Sequence, residues 1–264
     1  MEKNRLKILL VILILFLFII NYSFLDTLLL KYFSENFESE TGIVERVIDG
    51  DTVVVNDTSV RLLGINSPER GEKFSGEATN FLRAKTLNET VILKFGKEKR
   101  DIYDRKLAYI FLNNENINKE IVKKGFANPY FPSGKDKYHK SFFETWEKCI
   151  KENKNLCKKS KDVCSDCIVL KKLDYKTQEV KFQNKCNLKC NLTNWEIKDE
   201  GRKKFVFPKF ILNPNGEILV RVGNKEEKSN SILYWKNEKY VWTRTGDTLF
   251  LRDSENELVL WKNY

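Results

Sequence analysis

Val47-Ile-Asp-Gly-Asp-Thr-Val-Val-Val-Asn-Asp-Thr-Ser-Val-Arg-Leu-Leu-Gly-Ile-Asn-Ser-Pro-Glu69 is the stretch on which the fold turns. Apolar, β-branched residues alternate here with polar ones, the pattern of strands with one buried face. Gly50 sits in a turn that presents Asp49 and Asp51. Asn56-Asp57 marks a tight hairpin, because both residue types tolerate the left-handed backbone that a two-residue turn demands. The second strand carries Arg61 on the face opposite Leu62, with Leu63 and Ile65 sharing its parity, and ends at Asn66-Ser67-Pro68-Glu69.

Downstream the period lengthens. Ala78, Phe81, Leu82 and Leu87 share one helical face behind Ser75. Val91 to Phe95 and Leu107 to Leu112 read as strands, and residues 118 to 124 and 137 to 152 as helices. The last helix carries an apolar stripe of Phe142, Phe143, Trp146 and Ile150, which suits a core. Strands, helix, strands, helices describe an α+β domain around a small barrel over residues 41–156. Residues 157–167 are too polar to pack alone and read as a Cys-rich linker. Beyond it, 168–264 holds about seven short strands separated by turns such as Asn213-Pro-Asn-Gly216, with no helix-period stretch, which argues for an all-β sandwich.

The 264 residues include 47 Lys+Arg against 37 Asp+Glu, a net charge of +10, and a single histidine. One histidine excludes multi-His metal sites and any chemistry needing two imidazoles. The charged fraction of 32% excludes a polytopic membrane protein. Such a basic excess fits a polyanionic partner, nucleic acid or anionic lipid, or else a solvated lysine-rich surface. Half of the excess lies in 157–191 rather than in the barrel.

Upstream, thirteen consecutive apolar residues, Ile8 to Ile20, follow Lys3, Arg5 and Lys7. Residues 1–30 read as a transmembrane signal anchor and 31–40 as a stalk. Small residues ahead of a cleavage point are missing, and flanking charge places the body outside a single-pass cell-membrane anchor. Six cysteines, at 149, 157, 164, 167, 186 and 190, are confined to one region. An even number in an exported chain suggests disulfides, and Cys164-x2-Cys167 with Cys186-x3-Cys190 leaves a zinc site as the alternative.

Two stretches gather charge that packing does not require. Asp51, Asn66 and Glu69 at strand ends form an oxygen-only donor set suited to a hard cation such as calcium. Arg100-Asp-Ile-Tyr-Asp-Arg-Lys-Leu-Ala-Tyr109 adds Arg105 beside Tyr103. Two guanidinium groups, a carboxylate base and a divalent ion are the components of phosphodiester hydrolysis. Surface ion pairs at strand ends are the structural alternative.

From Thr41 to Leu156 the chain resembles the staphylococcal nuclease family. The resemblance rests on the Asp-Gly-Asp-Thr turn at 49–52, Arg-Leu-Leu-Gly-Ile-x-x-Pro-Glu at 61–69, Gly76-Glu-Ala78 and Asp-x-Tyr-x-Arg-x-Leu-Ala-Tyr at 101–109. The helix at 118–125 and Lys154-Asn-Leu156 extend it. It implies an OB-fold barrel with helices that cleaves DNA and RNA with calcium. By the same resemblance Arg61, Glu69 and Arg105 are the catalytic residues, the two arginines binding the scissile phosphate and Glu69 acting as general base. Asp51, with Asn66 and Ser67, would hold the calcium, and Tyr103 and Tyr130 would line the nucleotide pocket. Two departures stand out: Asn66 replaces the family's usual carboxylate, and Asp104 replaces its usual glycine. Residues 168–264 resemble a lamin-tail domain, an immunoglobulin-like sandwich, through Asn191-Leu-Thr-Asn-Trp-Glu-Ile-Lys-Asp199, Phe205-Val-Phe-Pro208, Thr245-Gly-Asp-Thr-Leu-Phe-Leu251 and the terminal Leu258-Val-Leu-Trp261. The expectation is a membrane-anchored, outward-facing, calcium-dependent nuclease whose sandwich has an unknown partner. The competing reading is a catalytically impaired nucleic-acid-binding or envelope adhesion protein.

Overall fold

The computed structural model describes residues 39–224 and 231–264. The signal anchor and most of the stalk read from the sequence lie outside the described residues. Among those residues no helix is long and apolar enough to cross a membrane.

The first half is built on strands β1 (Ser39–Asp49), β2 (Thr52–Val55), β3 (Thr58–Leu62) and β4 (Gly64–Asn66), followed by helix α1 (Ser75–Thr86). Strands β5 (Thr90–Arg100), β6 (Lys106–Leu112) and β7 (Glu115–Asn116), helix α2 (Ile117–Lys123), strand β8 (Asn128–Tyr130) and helix α3 (His139–Glu152) complete it. β1 pairs with β2 and β2 with β3 in antiparallel register, and β5 and β6 continue the sheet. A parallel pairing of β3 with β6, Val60 opposite Lys106 and Leu62 opposite Ala108, closes five strands into a barrel. The hairpin turn is where the sequence places it: Asn56 and Asp57 both have positive φ, 45° and 60°. Two register shifts in β1 bend the strand around the barrel.

Val44, Val53, Val60, Leu62, Leu93 and Ile110 fill the barrel. Helix α3 covers one end with Phe142, Trp146 and Cys149; of the stripe read from the sequence Phe142 and Trp146 are buried, while Phe143 and Ile150 pack partly buried at the edge of the cluster. Asn118 is fully buried and ties strands to helix: its Oδ1 accepts from Ile110 N (3.0 Å), and its Nδ2 donates to Leu63 O (2.8 Å).

The second half packs two four-stranded sheets face to face. One holds β9 (Ile168–Asp174), β10 (Glu179–Asn184), β15 (Glu217–Val222) and β16 (Ile232–Trp235). The other holds β12 (Glu196–Lys198), β13 (Lys204–Val206), β17 (Thr248–Arg252) and β18 (Leu258–Asn263), while β11 (Cys190–Asn191) and β14 (Ile211–Leu212) form a separate pair. Trp195, Phe182, Phe207 and Trp242 are buried in their core. Residues 41–264 form one compact unit. Phe250 and Leu258, on sandwich strands, belong to the barrel's hydrophobic cluster, and the Phe250 ring meets Trp146 edge-on at 5.6 Å.

All six cysteines are bonded, as Cys149–Cys157, Cys164–Cys190 and Cys167–Cys186, so the zinc alternative falls. The polar segment 157–167 is held in place. Its three cysteines are buried, and its backbone pairs with β18 through Ser160 N and Leu258 N. The polarity that suggested a loose connection is offset by covalent ties and ladder hydrogen bonds. His139 is half-buried at the start of α3 and packs against Phe131 (4.9 Å) and Phe143 (4.6 Å).

Candidate active site

The Asp-Gly-Asp turn between β1 and β2 comes against β4 and α1. A Cβ at Gly50 would lie 2.6 Å from that of Ala78 and 2.8 Å from that of Ser67, so only glycine permits this approach. The approach brings Asp51 to Ser67: Asp51 Oδ2 accepts from Ser67 N at 2.8 Å and Ser67 Oγ at 3.0 Å. Burial, and then the neighbouring Asp51 charge, pushes the Asp49 carboxyl above its ordinary range.

Arg61 is 7% exposed and lies at the centre of the cluster. Its Nη1 donates to Leu62 O (2.6 Å) and Ile65 O (2.9 Å), and its Nη2 to Asn66 Oδ1 (3.1 Å), with Asp51 Oδ2 also 3.1 Å from Nη2. Both Nη atoms are therefore engaged within the fold, by three hydrogen bonds and the ion pair with Asp51. Arg105 is held differently. Its Nε donates to Asp101 Oδ2 at 2.7 Å and its Nη2 lies 2.7 Å from the same oxygen, an ion pair that leaves Nη1 without a partner among the described residues. The ring of Tyr103, 73% exposed, sits 5.4 Å from the Arg105 guanidinium.

These residues border two adjoining cavities. Arg61, Arg105, Tyr109 and Tyr130 line one of about 380 Å³. Asp49, Asp51, Ser67 and Glu69 line another of about 480 Å³. The Arg61–Asp51 contact lies on the wall that joins them. Tyr103 lines neither cavity, and Asn66 is buried behind the wall rather than facing either. The structure thus brings Arg61, Asp51, Asn66 and Ser67 into direct contact and sets Glu69 and Arg105 on either side. Asp104 does not crowd Arg105: with φ at 62° it turns outward and pairs with Arg100 at 3.0 Å. Asp101, which the sequence reading left without a role, is the carboxylate that fixes Arg105.

No group of three His, Cys, Asp or Glu side chains among the described residues is placed to hold a metal ion. The chemistry of the donors nonetheless suits a hard cation, since Asp49, Asp51, Ser67 and Glu69 offer only oxygen to the second cavity.

Sequence reasoning did not find Arg202. It reaches the site from the sandwich hairpin between β12 and β13, its Nε 2.6 Å from Glu69 Oε1. The hairpin sequence Asp199-Glu-Gly-Arg-Lys203 carries no motif that announces such a contact. Beside it burial is the main cause that pushes three carboxyls upward, Asp199 to about 7, Glu200 to about 8 and Asp247 to about 6. Folded, these groups keep protons that the unfolded chain releases near its ordinary carboxylate range. Stability they contribute at acid pH is lost as pH rises through about 6 to 8, as linkage requires. His139, pushed down by burial, acts in the opposite sense, one group against three. The melting temperature is expected to fall between pH 5.5 and pH 8.5, and Asp199→Asn to flatten that fall. A melting temperature that climbs steadily over this interval would contradict the assignment.

Comparison with known proteins bears on both halves. Residues 59–159 match the staphylococcal nuclease homologue family model, and residues 165–264 match the lamin tail domain model. A thermonuclease of Staphylococcus intermedius is 35% identical over 118 residues, which is 41% of this chain and 70% of that protein. A thermonuclease of Staphylococcus hyicus is 30% identical over 131 residues, 46% of this chain and 78% of that protein. Endonuclease YhcR of Bacillus subtilis is 31% identical over 108 residues, 34% of this chain and 9% of that protein.

Proposed function

This chain belongs to the staphylococcal nuclease family, and from that premise we propose that it is a calcium-dependent nuclease hydrolysing phosphodiester bonds of DNA, RNA or both. The observation that carries the reading is the gathering of Arg61 and Arg105 with Asp51, Ser67 and Glu69 around two neighbouring cavities whose linings meet at the Arg61–Asp51 contact.

Arg105 offers the phosphate the guanidinium edge that Asp101 does not occupy. Because Asp101 also accepts from the backbone of Tyr103 and Arg105, the arginine is fixed in place before substrate arrives. Arg61, saturated by the backbone of β3 and β4 and by Asp51, contributes positive charge at close range and shapes the wall on which phosphate rests. Glu69, partly open to solvent, takes a proton from the attacking water. Asp51 and Ser67, on the wall of the second cavity, would hold the calcium, which when bound would offset the negative charge developing on the phosphoryl oxygens; Asn66, buried behind that wall with its Oδ1 on Arg61, does not join them as the resemblance implied. Tyr130, half-buried beside Arg61, and Tyr103, stacked near Arg105, provide aromatic faces for a nucleotide base.

Asn66 brings an amide where calcium sites favour charge, and its Oδ1 already accepts from Arg61. Half-maximal cleavage is therefore expected at about 10⁻⁴–10⁻³ M calcium, the range of weak extracellular sites. A calcium titration of cleavage checks this; saturation at micromolar calcium would refute it. Three disulfides suit an oxidising compartment, and the apolar run at 8–20 supports anchoring to a membrane with the nuclease outside. Fractionation of cells followed by protease shaving tests the anchor and its orientation together. Recovery of an intact, protected chain would remove the outward placement.

A further inference from the structure

The hairpin between β12 and β13 leaves the sandwich and docks at the nuclease site. Three hydrogen bonds seat its tip: Asn66 Nδ2 to Gly201 O (2.9 Å), Asn128 Nδ2 to Glu200 O (2.9 Å) and Phe131 N to Glu200 Oε1 (3.1 Å). Glu72 braces both strands of the hairpin, 3.3 Å from Lys198 Nζ and 3.0 Å from Lys204 Nζ. Glu200 and Gly201 are buried by this docking. An amide at position 66 suits it, because Asn66 accepts from Arg61 through Oδ1 and still has a hydrogen to give the Gly201 carbonyl. A carboxylate there would set acceptor against acceptor.

The seat leaves Arg202 on the wall of the cavity it shares with Asp49, Asp51, Ser67 and Glu69, its side chain 63% exposed. Its Nε meets Glu69, and its Nη groups have no partner among the described residues. The other two arginines are more committed: the Nη atoms of Arg61 make three hydrogen bonds and an ion pair with Asp51, and Asp101 holds Nε and Nη2 of Arg105. The paired Nη edge of a guanidinium matches two phosphate oxygens. Arg202 therefore presents the least committed guanidinium of the three, and presents it beside Glu69.

We propose that Arg202 is a third phosphate-binding arginine of the nuclease, delivered by the sandwich to the nonbridging oxygens of a phosphodiester entering beside Glu69. The proposal rests on the nuclease reading above. It gives the sandwich a part in the active site itself and makes the docked hairpin a wall of the substrate cavity.

The test uses the full-length chain in detergent micelles, as wild type, Arg202→Ala and Arg202→Lys, with melting curves to confirm folding. Binding of a fluorescent single-stranded oligodeoxythymidine is measured in chelator over a series of salt concentrations, and cleavage is measured separately with calcium. Arg202→Ala is expected to lower kcat/KM about 10²-fold and to reduce the slope of log K against log salt by about 0.7, the loss of one phosphate contact on a single strand. Arg202→Lys should restore the slope, since its charge remains, while recovering only part of kcat/KM because the fork is gone. An unchanged salt slope in Arg202→Ala overturns the proposal. So does faster cleavage by Arg202→Ala, which would make the Glu69 contact an inhibitory latch. If the wild type binds the oligonucleotide but does not cut it, the nuclease reading fails while the salt slope still decides whether Arg202 touches phosphate.

Discussion

Glu69→Gln is expected to lower kcat for cleavage of single-stranded DNA by about 10²–10⁴-fold, the usual contribution of a positioned general base. The amide keeps the size and one acceptor of the carboxylate but cannot take the proton of the attacking water. Because the Glu69 side chain is 44% exposed, the substitution should leave the melting temperature nearly unchanged. Arg105→Ala should cost about 10²-fold in kcat/KM through loss of charge stabilisation at phosphate. It also releases Asp101, so Arg105→Lys serves as the control that keeps a cation while removing the guanidinium fork. A Glu69→Gln enzyme that kept more than half of wild-type kcat would take the general base away from this residue.

The second large effect concerns stability. Cys164–Cys190 and Cys167–Cys186 staple the entry of the sandwich across 26 and 19 residues. Loop-closure entropy assigns either bond alone about 3 kcal/mol; because one loop is nested inside the other, the pair together contributes about 6 kcal/mol. The sheets they join are short, and β11 and β14 have two residues each. Replacing all four cysteines by serine is expected to lower the melting temperature by about 15 °C. The barrel, with its own Cys149–Cys157 bond and a separate core, should be affected less. A shift under about 2 °C would show that the packed sheets alone hold the segment.

The barrel was legible because its determinants are local. Val53 to Val55 are a β-branched run and all three are buried, Asn56-Asp57 supplies the left-handed turn, and the stripe from Phe142 to Trp146 has helical spacing. Asp49, Asp51, Arg61 and Glu69 were visible as charges that no strand needs. What the sequence hid depends on contacts between distant residues. Nothing near Arg105 distinguishes Asp101 from Asp104, and only the left-handed turn at 104 sends one carboxylate to Arg105 and the other to Arg100. The saturation of Arg61 depends on carbonyls at 62 and 65 that point inward once β3 closes on β6. Cysteine pairing was open because spacing alone fits both chemistries. Arg202 was hidden most completely, since it lies 133 positions from Glu69 in the sequence and reaches it through a hairpin whose residues resemble any charged turn.

Cleavage itself is the most direct measurement. The purified full-length chain in detergent, incubated with end-labelled single-stranded DNA and RNA at millimolar calcium or with chelator, should cut at least one of them with calcium and neither without it. Tight binding with no cleavage at any calcium concentration would contradict this account and leave a barrel that holds nucleic acid without hydrolysing it.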